Sequence, residues 1–389
     1  MSGLRFSRSQ NCSWIALFGL LFSGQTGFAQ QGTKLSPAVL PFVEKGALAG
    51  AVMLVADREK TLAIETVGYT DVAAKQSIPA NGMFWIASMS KPVTGTALMV
   101  LVDEGKVQLD DPVEKYLPEF KGMWLIAQQD GEHQVLRHPA KAITVRDILR
   151  HTSGMPFQSV METPTLDGLP LPVAVRSYAM TPLIFEPGTK YQYSNAGINT
   201  AARIIEIVAN QSFEDFLQTR FFEPLGMRDT TFWPNDEQLT RVVKVYSPTD
   251  DKQGLKEIKI SQLQYPLNDR RRAPMPAGGL FSTAADMGIF CQMILNNGEF
   301  RGKRYLSEKA VKEMATRQTG EWIKDSYGLG WAVGDGWLGH GGALATNMTV
   351  DHKRGLITVW LIQHAGFPQD GDKAQDAFRQ AAHQLGASK

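Results

Sequence analysis

The sequence predicts an α/β chain of the α+β kind: a sheet flanked by helices, built from both ends of the chain, with a mostly helical segment inserted between them. Three observations carry that prediction. A pair of strand-like runs lies within residues 49–70, strand-like runs return after residue 328, and the helical spacing concentrates between. The expected division is a discontinuous sheet domain, residues 38–107 with 271–389, and a helical domain over 108–270. A chain of 389 residues is long enough for two such cores.

Taken in order, Ala51-Val52-Met53-Leu54-Val55 and Thr61-Leu62-Ala63-Ile64-Glu65-Thr66-Val67 read as strands, with Asp57-Arg58-Glu59-Lys60 as the polar turn. Phe84-Trp85-Ile86-Ala87 leads into a helix from Ser88 to near Glu104. Val93, Ala97, Val100 and Leu101 share one side of it, and Gly105 ends it. The middle of the chain is richer in proline. It holds a hairpin, Met123 to Gln128 and His133 to Arg137, turned at Asp130-Gly131. Helices are expected over Val145–Arg150, Ala196–Asn210, Phe213–Phe222 and Ala284–Asn296. Strands follow at Gly328–Val333, Asn347–Val350 and Gly355–Ile362, and a last helix runs from near Lys373 to Leu385. There is no internal repeat and no low-complexity stretch.

The first 29 residues read as a targeting segment. Arg5 and Arg8 precede the apolar run Trp14 to Phe22, and the small residues Gly27 and Ala29 follow it, as at a signal-peptide cleavage site after Ala29. The competing reading is a retained N-terminal anchor, but the run is short for a permanent span. A bacterial periplasmic or secreted protein is expected. Cleavage would remove Cys12 and leave Cys291 alone, with no intrachain disulfide. Cys291 sits in an apolar helical pattern and reads as a buried, inert thiol.

Charge narrows the partners. Forty Lys and Arg face 39 Asp and Glu, so nothing invites nucleic acid. The one dense basic run, Arg270-Arg271-Arg272, reads as solvated or ion-paired. His133 and His138 have the wrong spacing for a zinc helix and no cysteine pair accompanies them, so neither metal nor other cofactor is expected. There is also no Gly-x-Ser-x-Gly elbow.

The chemistry concentrates in three places. Ser88 and Lys91 stand three residues apart at a helix start, so they share a face. A serine hydroxyl needs a neighbouring base, and a lysine can be that base once its pKa is lowered. A serine three before a lysine also arises as an ordinary cap with an exposed lysine, so the pair alone decides little. Tyr191-Gln192-Tyr193-Ser194-Asn195 follows a turn at Glu186-Pro187-Gly188-Thr189, and Gly339-His340-Gly341-Gly342-Ala343 precedes a strand.

With these elements in order, the chain resembles the serine β-lactamase-like superfamily, in its class C β-lactamase, D,D-carboxypeptidase and esterase branch. Ser88/Lys91 match its Ser-x-x-Lys, Tyr193/Asn195 its Tyr-x-Asn, and His340/Gly342 its late-strand Lys- or His-x-Gly. The segments Thr144 to Pro156, Pro276 to Met287 and Tyr327 to Trp331 are similar to the family as well, extending the likeness from about residue 38 to the C-terminus.

The resemblance implies a β-lactamase-like fold and a set of roles. Ser88 would be acylated, and Lys91 with Tyr193 would move its proton, the tyrosine also serving the leaving group. A phenol near pKa 10 needs a cationic Lys91 beside it to act as a base. Asn195 would hold Lys91 and substrate, and the backbone N–H groups of Ser88 and Ala343 would form the oxyanion hole. Tyr191 lacks an asparagine two residues on and reads as packing. His151 reads as a structural hydrogen-bonding histidine, and Trp331 and Trp360 as core or cleft wall. Many lactamases carry lysine and then a hydroxyl residue where this chain has His340 and Gly341, which removes a carboxylate anchor. The implied function is an exported serine hydrolase of small esters, amides or peptides. D,D-carboxypeptidase or β-lactamase activity is the alternative, and a non-catalytic binding protein of the same fold is the third reading.

Overall fold

The computed structural model describes residues 35–387. The expected targeting segment lies outside them.

Seven strands form one antiparallel sheet: β1 (Gly50–Ala56), β2 (Thr61–Asp71), β3 (Gln76–Ser77), β4 (Ala332–Gly334), β5 (Trp337–Gly341), β6 (Asn347–Asp351) and β7 (Leu356–Leu361). Their spatial order is β4-β5-β6-β7-β1-β2-β3, so the two ends of the chain meet at the β7/β1 seam, where Met53 faces Trp360. β1 and β7 are buried at every position. That explains their unbroken apolar runs, because a strand covered on both faces has no solvent side on which to alternate.

The cover comes from helices on the two faces. Ala51, Met53 and Val55 join a cluster with α1 (Ser36–Glu44) and the C-terminal helix, through Val39, Trp360 and Phe378. Val52, Leu54 and Ala56 join the larger core, with α2 (Ser90–Asp103), α3 (Asn195–Ala209) and α4 (Ala284–Leu295). The C-terminal helix spans Ala374–Ala387 and is α5 here. The Trp360 and Phe378 rings stack with centroids 5.4 Å apart, so Trp360 is core. Cys291 is buried on α4 with its Sγ 3.6 Å from Met348 Sδ, and burial pushes its thiol pKa up, as expected of an inert thiol.

Between the sheet segments lie the expected hairpin, with strands Leu125–Gln129 and Gln134–Arg137, and a second one at Val245–Pro248 and Leu255–Ile258. The helix Val145–Leu149 is as expected, and the Phe213 helix becomes a π-turn from Gln218 to Phe222. Of the three arginines, Arg272 is buried against Asp167 at 2.7 Å, Arg271 pairs with Asp269, and Arg270 lies over the Trp233 ring. Arg271 and Arg272 are thus ion-paired, while Arg270 rests on an aromatic ring.

Two expected elements need correction. The helix expected from Ser88 begins as a 3-10 turn, Ala87–Met89, and turns α-helical only at Ser90. The strand expected over Gly328–Val333 is only Ala332–Gly334. Gly328 N–H closes a turn on Trp331 carbonyl oxygen, and Gly330 takes φ +79° because it packs onto α2. A Cβ on Gly330 would stand 3.0 Å from the Cα of Gly95, and one on Gly95 would stand 2.7 Å from the Leu329 carbonyl oxygen. Two glycines thus let this turn lie directly on the helix that follows Ser88. Trp331 beside them is buried core, its indole N–H donating to Thr96 Oγ1.

Candidate active site

Ser88 is held from both sides, by a backbone bond before it and by the Ser90 hydroxyl after it. Ile86 N–H donates to Leu280 carbonyl oxygen at 3.0 Å, and Ser90 Oγ bridges the Ala87 carbonyl and the Leu280 N–H. Ala87, the residue before Ser88, takes φ +46°, a left-handed conformation that costs a non-glycine residue about 1–3 kcal/mol. This forced bend delivers Ser88 to the 3-10 turn that leads into α2, with Lys91 three residues on in the first turn of α2.

Lys91 is fully buried. Its Nζ donates to Asn195 Oδ1 at 2.7 Å and to the Ala277 carbonyl oxygen at 2.8 Å, and it stands 3.1 Å from Ser88 Oγ. Burial without a carboxylate partner holds its pKa well below the ordinary lysine value. A neutral amine has two N–H donors and one lone pair. Two oxygens that can only accept take the donors, so the lone pair is left for the Ser88 side.

Asn195 reaches Lys91 because it opens α3. Ser194 caps that helix, its Oγ accepting from Gly197 N–H at 3.2 Å. Gly197 lets the helix close on Val145–Leu149, since a Cβ there would lie 2.8 Å from the Ile148 carbonyl oxygen. Tyr193, one residue before the cap, stands beside Ser88, and its ring centre lies 4.6 Å from Lys91 Nζ. Burial raises the Tyr193 pKa, so the phenol keeps its proton. The structure therefore brings Ser88, Lys91, Tyr193 and Asn195 into one cluster.

His340 is buried on β5, level with Met348 of β6. Its Nδ1 lies 2.7 Å from the Gly341 carbonyl oxygen, so that nitrogen carries the proton and Nε2 accepts from Tyr327 Oη at 2.9 Å. Burial, with Lys91 nearby, lowers its pKa to about 3. The ring is neutral. Gly342 and Ala343 lie in the turn after β5, where Gly342 N–H donates to Thr346 carbonyl oxygen at 2.8 Å. A Cβ on Gly342 would stand 2.5 Å from the Ile86 carbonyl oxygen and 2.1 Å from Thr346 Oγ1, so only glycine lets the strand end seat against the segment before Ser88.

Sequence reasoning missed three contributors. Asn199 lies one turn after Asn195 on α3; its Oδ1 accepts from Ala277 N–H at 3.0 Å, fixing the residue whose carbonyl receives Lys91. Helix spacing from Asn195 was the available signal. Ala277 acts through backbone, which no side-chain pattern records. Tyr327, which holds His340, was noticed only as part of a family-like segment. Tyr191 stands in a ring cluster with His151 and Tyr327, in keeping with packing. His133 and His138 stay apart from this cluster: His138 stacks on Trp124 and bonds to the Met123 carbonyl, and His133 is exposed.

A sequence model of the Beta-lactamase family matches residues 35–383. The chain belongs to the Beta-lactamase family. A Mycobacterium tuberculosis protein, strain H37Rv, is 32% identical over 360 residues, 82% of this chain and 87% of its own. The lovastatin esterase of Penicillium rubens is 27% identical over 353 residues, 80% of this chain and 86% of its own. Among solved structures, EstCE1, described as a hydrolase with promiscuous acyltransferase activity, superposes with a TM-score of 0.76 at 22% identity. That superposition covers 90% of this chain and 97% of EstCE1. The antiparallel sheet flanked by helices is thus the β-lactamase-like fold, and the protein is a β-lactamase-related serine hydrolase. No helix among the described residues is long and apolar enough to cross a membrane.

Proposed function

We propose that this protein hydrolyses small neutral esters through an acyl-Ser88 intermediate, and that it does so outside the cytoplasm. The single observation that carries the reading is Lys91: a buried amine beside Ser88 Oγ, with its donors committed to Asn195 and Ala277. As the Ser88 Oγ–acyl carbon bond forms, the hydroxyl proton passes to the neutral Lys91 Nζ. The oxyanion that develops on the substrate carbonyl is received by the backbone N–H groups of Ser88 and Ala343. Tyr193 gives its proton to the leaving oxygen as the carbon–oxygen bond breaks, and recovers one from the Lys91 ammonium. Water then attacks the acyl carbon with the same groups taking and returning its proton, which releases the acid and restores Ser88. The direction of the two shifts favours the amine, not a phenolate, as the base.

His340 supports neutral esters over carboxylate-bearing substrates. Its ring is uncharged and both nitrogens are engaged by Tyr327 and Gly341, so it offers no cation to a D-alanine or β-lactam carboxylate. The esterase similarity over most of the chain points the same way. Export is supported by the Arg5, Arg8 and apolar-run pattern ahead of Ala29, and by a single cysteine thereafter.

The test is a substrate panel on the purified mature protein and Ser88→Ala: a p-nitrophenyl ester, a chromogenic cephalosporin and a D-Ala-D-Ala peptide. Ester turnover that vanishes in the variant is expected, with the other two slower. Cephalosporin or peptide turnover exceeding that of the ester would move the assignment to a β-lactamase or D,D-carboxypeptidase. No turnover and no fluorophosphonate labelling would favour the non-catalytic reading.

A further inference from the structure

His151 combines two unfavourable features in one residue. It is buried at 1% exposure with φ +61°, in the left-handed region, and its Nε2 has no hydrogen-bond partner among the described residues. Packing alone would select a residue without either cost.

What the residue achieves is visible around Tyr193. The His151 carbonyl oxygen accepts from Gln192 N–H at 2.9 Å, and its Nδ1 accepts from Ser194 N–H at 3.2 Å. The amides on either side of Tyr193 are thus anchored to one residue. The imidazole also wedges between rings, with centroids 4.6 Å from Tyr193 and 4.6 Å from Tyr327, and Tyr327 in turn holds His340. Accepting at Nδ1 requires a neutral ring with its proton on Nε2. Burial, with Lys91 and His340 nearby, keeps the ring in that uncharged form.

We propose that His151 is a positioning residue for the reaction: through its bare Nδ1 and its left-handed backbone carbonyl it holds the 192–194 segment so that the Tyr193 phenol stays on Ser88. This rests on the reading of Tyr193 as proton donor to the leaving group. The left-handed backbone turns the carbonyl to Gln192 while the ring reaches Ser194, so one residue clamps both amides.

The full mature chain carries the test, as His151→Asn and His151→Gly. Asparagine places an acceptor oxygen where Nδ1 stands and tolerates φ > 0; glycine tolerates the backbone and removes the acceptor. Two readouts are taken on each: kcat and KM for a p-nitrophenyl ester, and hydrogen exchange at the Gln192 and Ser194 amides. In His151→Gly, kcat should fall about 10²-fold with KM nearly unchanged, and Ser194 should lose protection while Gln192 keeps it. His151→Asn should recover most of both. The proposal is overturned if His151→Gly keeps kcat and Ser194 protection, or if His151→Asn is as impaired as His151→Gly. If His151→Gly does not fold, His151→Gln takes its place, because its amide reaches the Nε2 position and not Nδ1, and loss is again expected. A wild-type protein that turns over no ester would defeat the esterase reading, while Ser194 exchange would still decide the His151 anchor.

Discussion

At the residue scale, the site is governed by where charge is not allowed. Lys91 is an ammonium near pKa 10.5 in the unfolded chain and sits well below that when folded. Between those two values the unfolded chain binds the additional proton, so stability rises with pH through that window and levels off above 10.5. Lys91→Met abolishes that slope. The stability of wild type minus that of Lys91→Met, measured by denaturant unfolding, should therefore climb as pH is raised from neutrality toward 10.5. A flat difference would mean that Lys91 is not a desolvated amine. Ser88, Lys91, Tyr193 and Asn195 were legible in the sequence because each is a side chain in a fixed spacing. Their ionisation was not. The sequence left two readings open, a lysine base with a lowered pKa and a cationic lysine supporting a tyrosine base; burial disfavours charge on both groups, a consequence of packing that spacing cannot express.

At the element scale, glycines decide how closely segments approach Ser88. Gly341 and Gly342 are neighbours with opposite demands. A Cβ on Gly341 meets nothing nearer than 3.5 Å, whereas one on Gly342 collides with the Ile86 carbonyl and Thr346. Gly341→Ala should thus keep ester turnover and change stability by no more than about 0.5 kcal/mol. Gly342→Ala should cost about 1–3 kcal/mol in denaturant unfolding and depress kcat, because it lifts the β5 turn from the Ser88 segment. Equal behaviour of the two variants would refute the close approach. Most elements were readable from periodicity, including β1, β2, β7, α3 and α4. The turn at 328–331 was not: Gly-Leu-Gly-Trp alternates like a strand, and only contact with Gly95 on α2 explains why Gly330 leaves the extended region. The helices Ser36–Glu44, Leu171–Ala179 and Glu308–Ala315 also escaped notice. The first two carry prolines, which weaken a helical reading of sequence although proline is accepted in a first turn.

At the scale of the whole molecule, the meeting of the two chain ends at the β7/β1 seam was legible, because both ends carry long buried strands. How the residues between them are tied to one another was not. The buried Arg272–Asp167 pair is one such tie: Asp167 also accepts from Gln264 N–H, and Arg272 donates to the Phe232 carbonyl oxygen. Arg272→Met leaves Asp167 buried without its counter-ion and should cost about 3–5 kcal/mol, while Arg271→Met, at an exposed pair, should stay within about 1 kcal/mol. Similar losses for both variants would remove the distinction between them, which the sequence Arg270-Arg271-Arg272 gives no means to draw.

The proposed covalent bond to Ser88 can be weighed directly. The mature protein is mixed with a slowly deacylated p-nitrophenyl ester, quenched in acid, and measured by intact and peptide mass spectrometry beside Ser88→Ala. A single increment equal to the acyl group, mapped to Ser88 and missing from the variant, is expected. Ester turnover with no acylated Ser88, or an increment that persists in Ser88→Ala, would contradict it.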